Sequence, residues 1–231
     1  LRFEASSGID AWKGASITSG LSLATRSSNT IAESSQTLRT VFVGGSIEQR
    51  FAADRFAISG GATSWSPIAG GQSFRSASIR GFARSSAEPA ASTVLAEARA
   101  DFATAEAPLA IWPGAGDGRA RPGLLRAHPL LDEGVISGAA FGRQVQSATV
   151  ELQRWFDRWQ IPRLGIAVFA DTAHAANRLD SASGQPFQVD VGSGVRVRMP
   201  GSDRTFRFDY AHGLRDRRAS AISVGICTPL K

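Results

Sequence analysis

The sequence predicts an all-β protein, an antiparallel transmembrane β-barrel, with about eleven strands in its 231 residues. Three observations predict it. Apolar and polar residues alternate strictly along many segments. In "FQVDVGSGVRVRMPG", Phe187, Val189, Val191, Val195, Val197 and Met199 share one parity, and Gln188, Asp190, Gly192, Gly194, Arg196 and Arg198 share the other. Several runs keep this alternation for ten residues or more, beyond the about 5–6 usual in a globular strand. The polar parity is rich in glycine and in both signs of charge. That suits a lumen in which opposite charges pair across strands while the apolar parity faces acyl chains. A soluble β-sandwich with its charged face in solvent is the alternative.

The elements follow in chain order. Two weaker strand candidates precede Ser35. "LRTVFVGGSIEQRF" sets Val41, Val43, Ile47 and Phe51 against Thr40, Ser46, Glu48 and Arg50. After a tight break come "DRFAISGGATSW", the less regular "QSFRSASIRGFARSS", and "STVLAEARADF". The alanines of the last also allow a helix, but its neighbours favour a strand. From Ala107 to Ile136 the rhythm stops, because four prolines and five glycines exclude a regular strand or helix. An ordered loop of that length is usually functional. Strands then resume in "FGRQVQSATVELQRWF", "RLGIAVFADTAHA", "FQVDVGSGVRVRMPG", "TFRFDYAHGL" and "ASAISVGI".

Composition narrows the function classes. No run of 18 apolar residues occurs, so a transmembrane helix is excluded, whereas a membrane strand needs only about 9–11 residues. The 26 basic residues exceed the 20 acidic ones, but only Lys13 and Lys231 are lysines and the arginines are scattered singly. That pattern argues against a nucleic-acid partner. Cys227 stands alone, which removes internal disulfides and thiolate clusters. The chain begins at Leu1 with no targeting segment ahead of its first strand-like run, so an N-terminal part is expected to be missing.

Catalytic chemistry finds little support. His128, His174 and His212 are isolated, and His128 beside Pro129 reads as a hydrogen-bonding loop residue, not a metal ligand. No Gly-x-Ser-x-Gly elbow is present. Asp132 and Glu133 read as capping or arginine-pairing loop residues, and "GAGDGRARPG" lacks the Lys-Ser/Thr of a phosphate loop. Trp65, Trp112, Trp155 and Trp159 lie near segment ends, where a membrane interface favours indoles, although core packing explains them nearly as well. No catalytic residue, cofactor or metal is expected.

The last five strands resemble the C-terminal barrel of the Omp85 superfamily, the bacterial surface antigen family that includes BamA- and TamA-like barrels. "LGIAVFADTAHA" is similar to its Phe-x-Asp strand, with Phe169 and Asp171 in the matching places. "VDVGSGVRVRMPG" is similar to the next, a Gly-x-Gly-x-Arg run ending at a Pro-Gly turn. "FRFDYAHGLRD" and "ASAISVGI" are similar to the closing pair. The resemblance spans Phe141 to Ile226. It implies a sixteen-stranded outer-membrane barrel with five strands after a long sixth extracellular loop, here 107–136. Residues 1–231 would then be the C-terminal part of that barrel, and the first strands and periplasmic POTRA domains would lie outside this chain.

In the family, the sixth loop folds into the lumen and sets an arginine against the Phe-x-Asp strand. Asp171 shares the parity of Gly165, Ala167 and Phe169, so it points into the lumen if the other parity faces lipid. Two arginines compete for the loop's half of the lock. Arg80, with Gly81 and Phe82 in "SIRGF", matches the family's (Val/Ile)-Arg-Gly-(Phe/Tyr) motif by letter, but six strands would follow it. Arg126 lies in the correct loop but lacks the following Gly and aromatic; topology favours it, and Arg80 stays open. Asp190, Arg196, Arg198, Arg207 and Asp209 would be further lumen charges.

The implied function is insertion or translocation of outer-membrane proteins, by non-enzymatic strand templating at a lateral seam. Outer-membrane lipid and unfolded outer-membrane proteins would be partners, with POTRA domains and periplasmic or lipoprotein components. "CTPLK" departs from the aromatic end usual for barrel strands, with Pro229 unable to join a ladder. A membrane anchor for a fused patatin-like lipase or phosphoesterase, and a soluble β-sandwich binding module, are the alternatives.

Overall fold

Alternation becomes strand throughout. The computed structural model describes residues 2–12, 15–26, 36–68, 71–86, 91–116, 123–132, 135–136, 140–156, 163–178, 187–198, 204–215 and 219–227. The strands are β1 (Arg2–Trp12), β2 (Ala15–Arg26), β3 (Gln36–Phe51), β4 (Phe56–Pro67), β5 (Phe74–Arg84) and β6 (Ser92–Ala103). After the long loop come β9 (Gly142–Phe156), β10 (Arg163–Arg178), β11 (Phe187–Arg198), β12 (Thr205–Gly213) and β13 (Ser220–Cys227). Inside the loop, the two-residue strands β7 (Leu131–Asp132) and β8 (Val135–Ile136) make a small ribbon, and Leu109–Ile111 form one 3₁₀ turn. All three fall within the segment that the sequence predicts as irregular loop, because pieces this short carry no periodicity. The alanine-rich "STVLAEARADF" is a strand, as its neighbours required.

The eleven long strands form one antiparallel sheet in the order β1-β2-β3-β4-β5-β6-β9-β10-β11-β12-β13. Each pairs with its neighbour in sequence, and the loop is passed over as β6 joins β9. The sheet is open, with β1 and β13 as its edges, and it has fewer than the sixteen strands that the resemblance implies. The connections are uneven. Chain segments 13–14, 52–55, 85–91, 157–162 and 199–204 link strands at one end, and the 104–141 segment lies at the other.

One face of the sheet is apolar and exposed; the other is polar and covered. Val41, Val43, Ile58, Ile79, Val150, Val168, Val195, Phe208 and Ile222 are exposed, Ile222 at 79%. Asp101, Glu151, Asp171, Asp190, Arg196 and Asp209 are buried on the opposite parity. This inverts the burial of a water-soluble protein, where charges almost never sit fully inside.

The loop lies against the polar face and touches widely separated strands. Trp112, Leu130 and Phe141 pack with Phe42 of β3, Trp65 of β4 and Phe74 of β5, while the 3₁₀ turn touches β2. The same loop reaches Asp209 on β12. Flat, β2 and β12 would lie about 38 Å apart at about 4.8 Å per strand. The sheet therefore curls around the loop, and the polar face is the concave one. Trp65, Trp112 and Trp155 are buried at 4%, 9% and 3%, so they serve packing and do not form an outward interfacial belt. Trp159, Glu133, the Pro200–Gly201 turn and Pro229 lie outside the described residues, as does the side chain of Asp132.

Candidate functional site

Four adjacent strands bring four carboxylates together on the concave face: Glu151 of β9, Asp171 of β10, Asp190 of β11 and Asp209 of β12. Asp171 and Asp190 stand directly opposite in the ladder. Like charges so placed repel, and burial removes the water that would screen them. Such a cluster needs cations and donors from elsewhere, and the loop supplies them.

The loop tip is a turn from Leu125 to His128, closed by His128 N–H donating to Leu125 O at 3.3 Å. Arg126 and Ala127 occupy its apex. Nη2 of Arg126 lies 2.9 Å from Glu151 Oε2, Nε 3.1 Å from Asp171 Oδ2, and Nη1 3.2 Å from Asp209 Oδ2. Three strands are thus held by one guanidinium. It sits over Phe169, with Cζ 3.6 Å from the ring centroid. Planarity, five donors and a permanent charge make arginine suited to this geometry.

The turn's backbone joins in. Arg126 N–H donates to Asp171 Oδ2 at 3.3 Å, and Ala127 N–H donates to Asp190 Oδ2 at 2.6 Å. His128 Nδ1 lies 2.8 Å from Asp190 Oδ1, and Thr149 donates its hydroxyl to Asp171 Oδ1 at 2.9 Å. Asp190 therefore clasps the loop through a backbone amide and an imidazole, while Asp171 holds it through Arg126.

Arg196 completes the network from within the sheet. Its Nε and Nη2 form a fork on Glu151, each at 2.8 Å, and Nη1 reaches Asp209 Oδ1 at 2.5 Å. Arg207 lies 3.6 Å from Asp209. Four carboxylates thus face three guanidinium groups and one imidazole. Arg126, Asp171, Asp190, Arg196 and Asp209 are each 2% exposed or less.

Two glycines make the room. A Cβ at Gly192 would meet the Phe169 ring and the Tyr210 carbonyl; one at Gly194 would meet the Asp209 carboxylate and the Phe208 carbonyl. A side chain at either position of the Gly-x-Gly run would press on the groups that hold Arg126 and Arg196 in place.

The two candidate loop arginines have different surroundings. Arg126 sits in the carboxylate nest, whereas Arg80 pairs across β5 and β6 with Glu97 at 2.7 Å. Gly81 lies on the outward parity, with nothing within 4 Å of a Cβ built there, and Phe82 is half-buried on the inward parity. Arg198, opposite Arg163 at the short-turn end, stands apart from the nest. Sequence reasoning missed Glu151 and the Asp190–His128 clasp. Glu151 was detectable, being a lone acid between Val150 and Leu152 on the parity of Trp155. The clasp was not, since a backbone amide leaves no trace in residue types.

Chemically, the nest is a latch. Each of its carboxylates already takes hydrogen bonds or ion pairs from the loop or the sheet, and among the described residues no three His, Cys, Asp or Glu side chains are arranged to hold a metal ion. Compared with known families and curated proteins, the chain matches no family model and no characterised sequence.

Proposed function

We infer that this chain is part of an outer-membrane β-barrel of the Omp85 type, acting in insertion or translocation of outer-membrane proteins. The observation that carries the reading is the inverted sheet: apolar side chains exposed on its convex face, and a buried ion-pair network on its concave face closed by a loop arginine. In water, the convex face would expose far more contiguous apolar surface than a soluble monomer tolerates. In a bilayer that face is solvated by acyl chains, and every interior strand has its backbone paired. An arginine held in the concavity by three strands, Phe169 and Asp171 on one strand, and Gly192 and Gly194 on the next all fit the Omp85 resemblance.

On this reading no bond is made or broken in the client. The latch keeps the loop in the lumen and sets the shape of the β9–β13 wall, while a seam at the sheet's edge offers unpaired backbone groups to an incoming strand. The test is depletion of the full-length protein in its native cells, followed by quantification of folded outer-membrane proteins. A fall in their folded fraction, restored by wild type but not by Arg126→Ala, supports the reading. Unchanged outer-membrane protein levels, or recovery of this protein in the soluble fraction without detergent, would sink it.

A further inference from the structure

On the concave face, the sheet's last edge carries buried donors that lack acceptors. β13 pairs with β12 and has no strand on its other side among the described residues. Its Ile222 and Val224 are the most exposed large apolar side chains among those residues, as expected where a flanking strand would lie. Arg207 of β12 reaches across this edge strand on the inward face. A Cβ at Gly225 would meet its Cγ, Nε and Nη2, so the glycine is what lets the guanidinium lie over β13.

Acceptors for that guanidinium are scarce. Arg196 and Arg207 stand directly opposite in the ladder, a like-charge pair, and share Asp209. Oδ1 of Asp209 is taken by Arg196, and Oδ2 lies 3.2 Å from Arg126. Arg207 comes no nearer to Oδ2 than 3.6 Å, beyond hydrogen-bond length. Ser223, paired with Asp209 and 2% exposed, has a hydroxyl with no partner among the described residues. Buried donors left unmade are costly, and both sets lie at one free edge.

We propose that this edge selects incoming strands bearing an aspartate or glutamate at the inward residue that pairs with Gly225. Paired strands lie about 4.8 Å apart, so that carboxylate would stand beside the guanidinium already over Gly225. Ser223, two residues along the same face, is within diagonal reach of a long side chain. A basic residue in that place would be repelled by Arg207, and an apolar one would bury its donors unmade. Backbone pairing accepts almost any sequence; the charge adds the discrimination. The inference rests on the strand-templating reading above and names the kind of strand the seam takes.

Disulfide capture tests it, with the full-length protein in liposomes carrying Cys227→Ser and Val224→Cys. The probes are urea-unfolded precursors of a small outer-membrane barrel. They differ only in Asp, Asn or Lys at one inward position of the last strand, next to a single cysteine. The Asp precursor should be captured about tenfold more than the other two. Arg207→Gln should remove the preference and Arg207→Glu should turn it towards Lys, with heat-modifiable gel mobility kept. Equal capture of all three precursors by the protein with Arg207 intact, a preference that survives Arg207→Gln, or a disulfide-linked dimer in place of the adduct would overturn the proposal. Capture without charge preference overturns this inference alone; a folded protein that captures no precursor overturns the templating reading with it.

Discussion

Arg126 sits over Phe169, its Cζ 3.6 Å from the ring centroid, while its Nε reaches Asp171 two residues further along the same strand. Stacking thus uses the face of the guanidinium and pairing its N–H edge. Lysine offers neither the flat face nor the fork. Arg126→Lys should therefore behave more like Arg126→Ala than like wild type. Each is expected to cost about 3–5 kcal/mol, the penalty for leaving buried carboxylates without their partner. Heat-modifiable unfolding midpoints and protease cleavage within 107–136 would report it; a lysine variant equal to wild type would contradict the stacked geometry.

Asp171 and Arg126 should be energetically coupled. Asp171→Asn removes one charge from the Asp171–Asp190 repulsion as well as one partner of Arg126. In a double-mutant cycle with Arg126→Gln, the pair should deviate from additivity by about 0.5–3 kcal/mol. Additive, small effects would mean that the latch does not depend on this contact.

Arg80 supplies the contrast. Its pair with Glu97 is about one-third exposed on both sides. Arg80→Gln should cost less than about 1 kcal/mol and leave protease cleavage of the loop unchanged. Release of the loop by Arg80→Gln would reverse the assignment of the two arginines.

Glycine substitutions separate the crowded positions from the open one. Gly192→Ala and Gly194→Ala should each destabilise by about 1–3 kcal/mol, because the added methyl displaces the Phe169 ring or the Asp209 carboxylate. Gly81→Ala, which meets nothing within 4 Å, should be close to neutral in the same melting assay.

The orientation of the sheet can be read with nitroxide labels in liposomes, using a background in which Cys227 is replaced by serine. Labels at Val43, Val168 and Val195 should collide with oxygen dissolved in the bilayer and escape a water-soluble nickel chelate. Equal access to the chelate at all three would place the convex face in water.

Much of this architecture was legible in the residues. Period-two alternation located the eleven long strands, since a pleat with unlike faces forces that pattern. Which parity was covered also followed, because Asp171, Asp190 and Arg196 all fell opposite the valines. Counting strands after the loop pointed to Arg126 over the better-spelled "SIRGF" at Arg80. Beyond that the signal faded. The Leu125–His128 turn has no glycine at its apex to announce it. Ala127 meets Asp190 through its N–H, which any residue but proline would offer. The packing of Trp112 and Phe141 on Phe42, Trp65 and Phe74 joins residues far apart in the chain, whose meeting depends on how the sheet curls.

Every partner of the loop arginine comes later in the chain than the arginine itself. Asp171 lies 45 residues on, and Asp209 83 residues on. Contacts at that separation close long loops, a cost that falls as the intervening strands pair. The seat of the tip is complete only when β9, β10, β11 and β12 all stand in register. A sheet missing a strand, or slipped by one residue so that every inward acid turns outward, would present Arg126 with an incomplete seat.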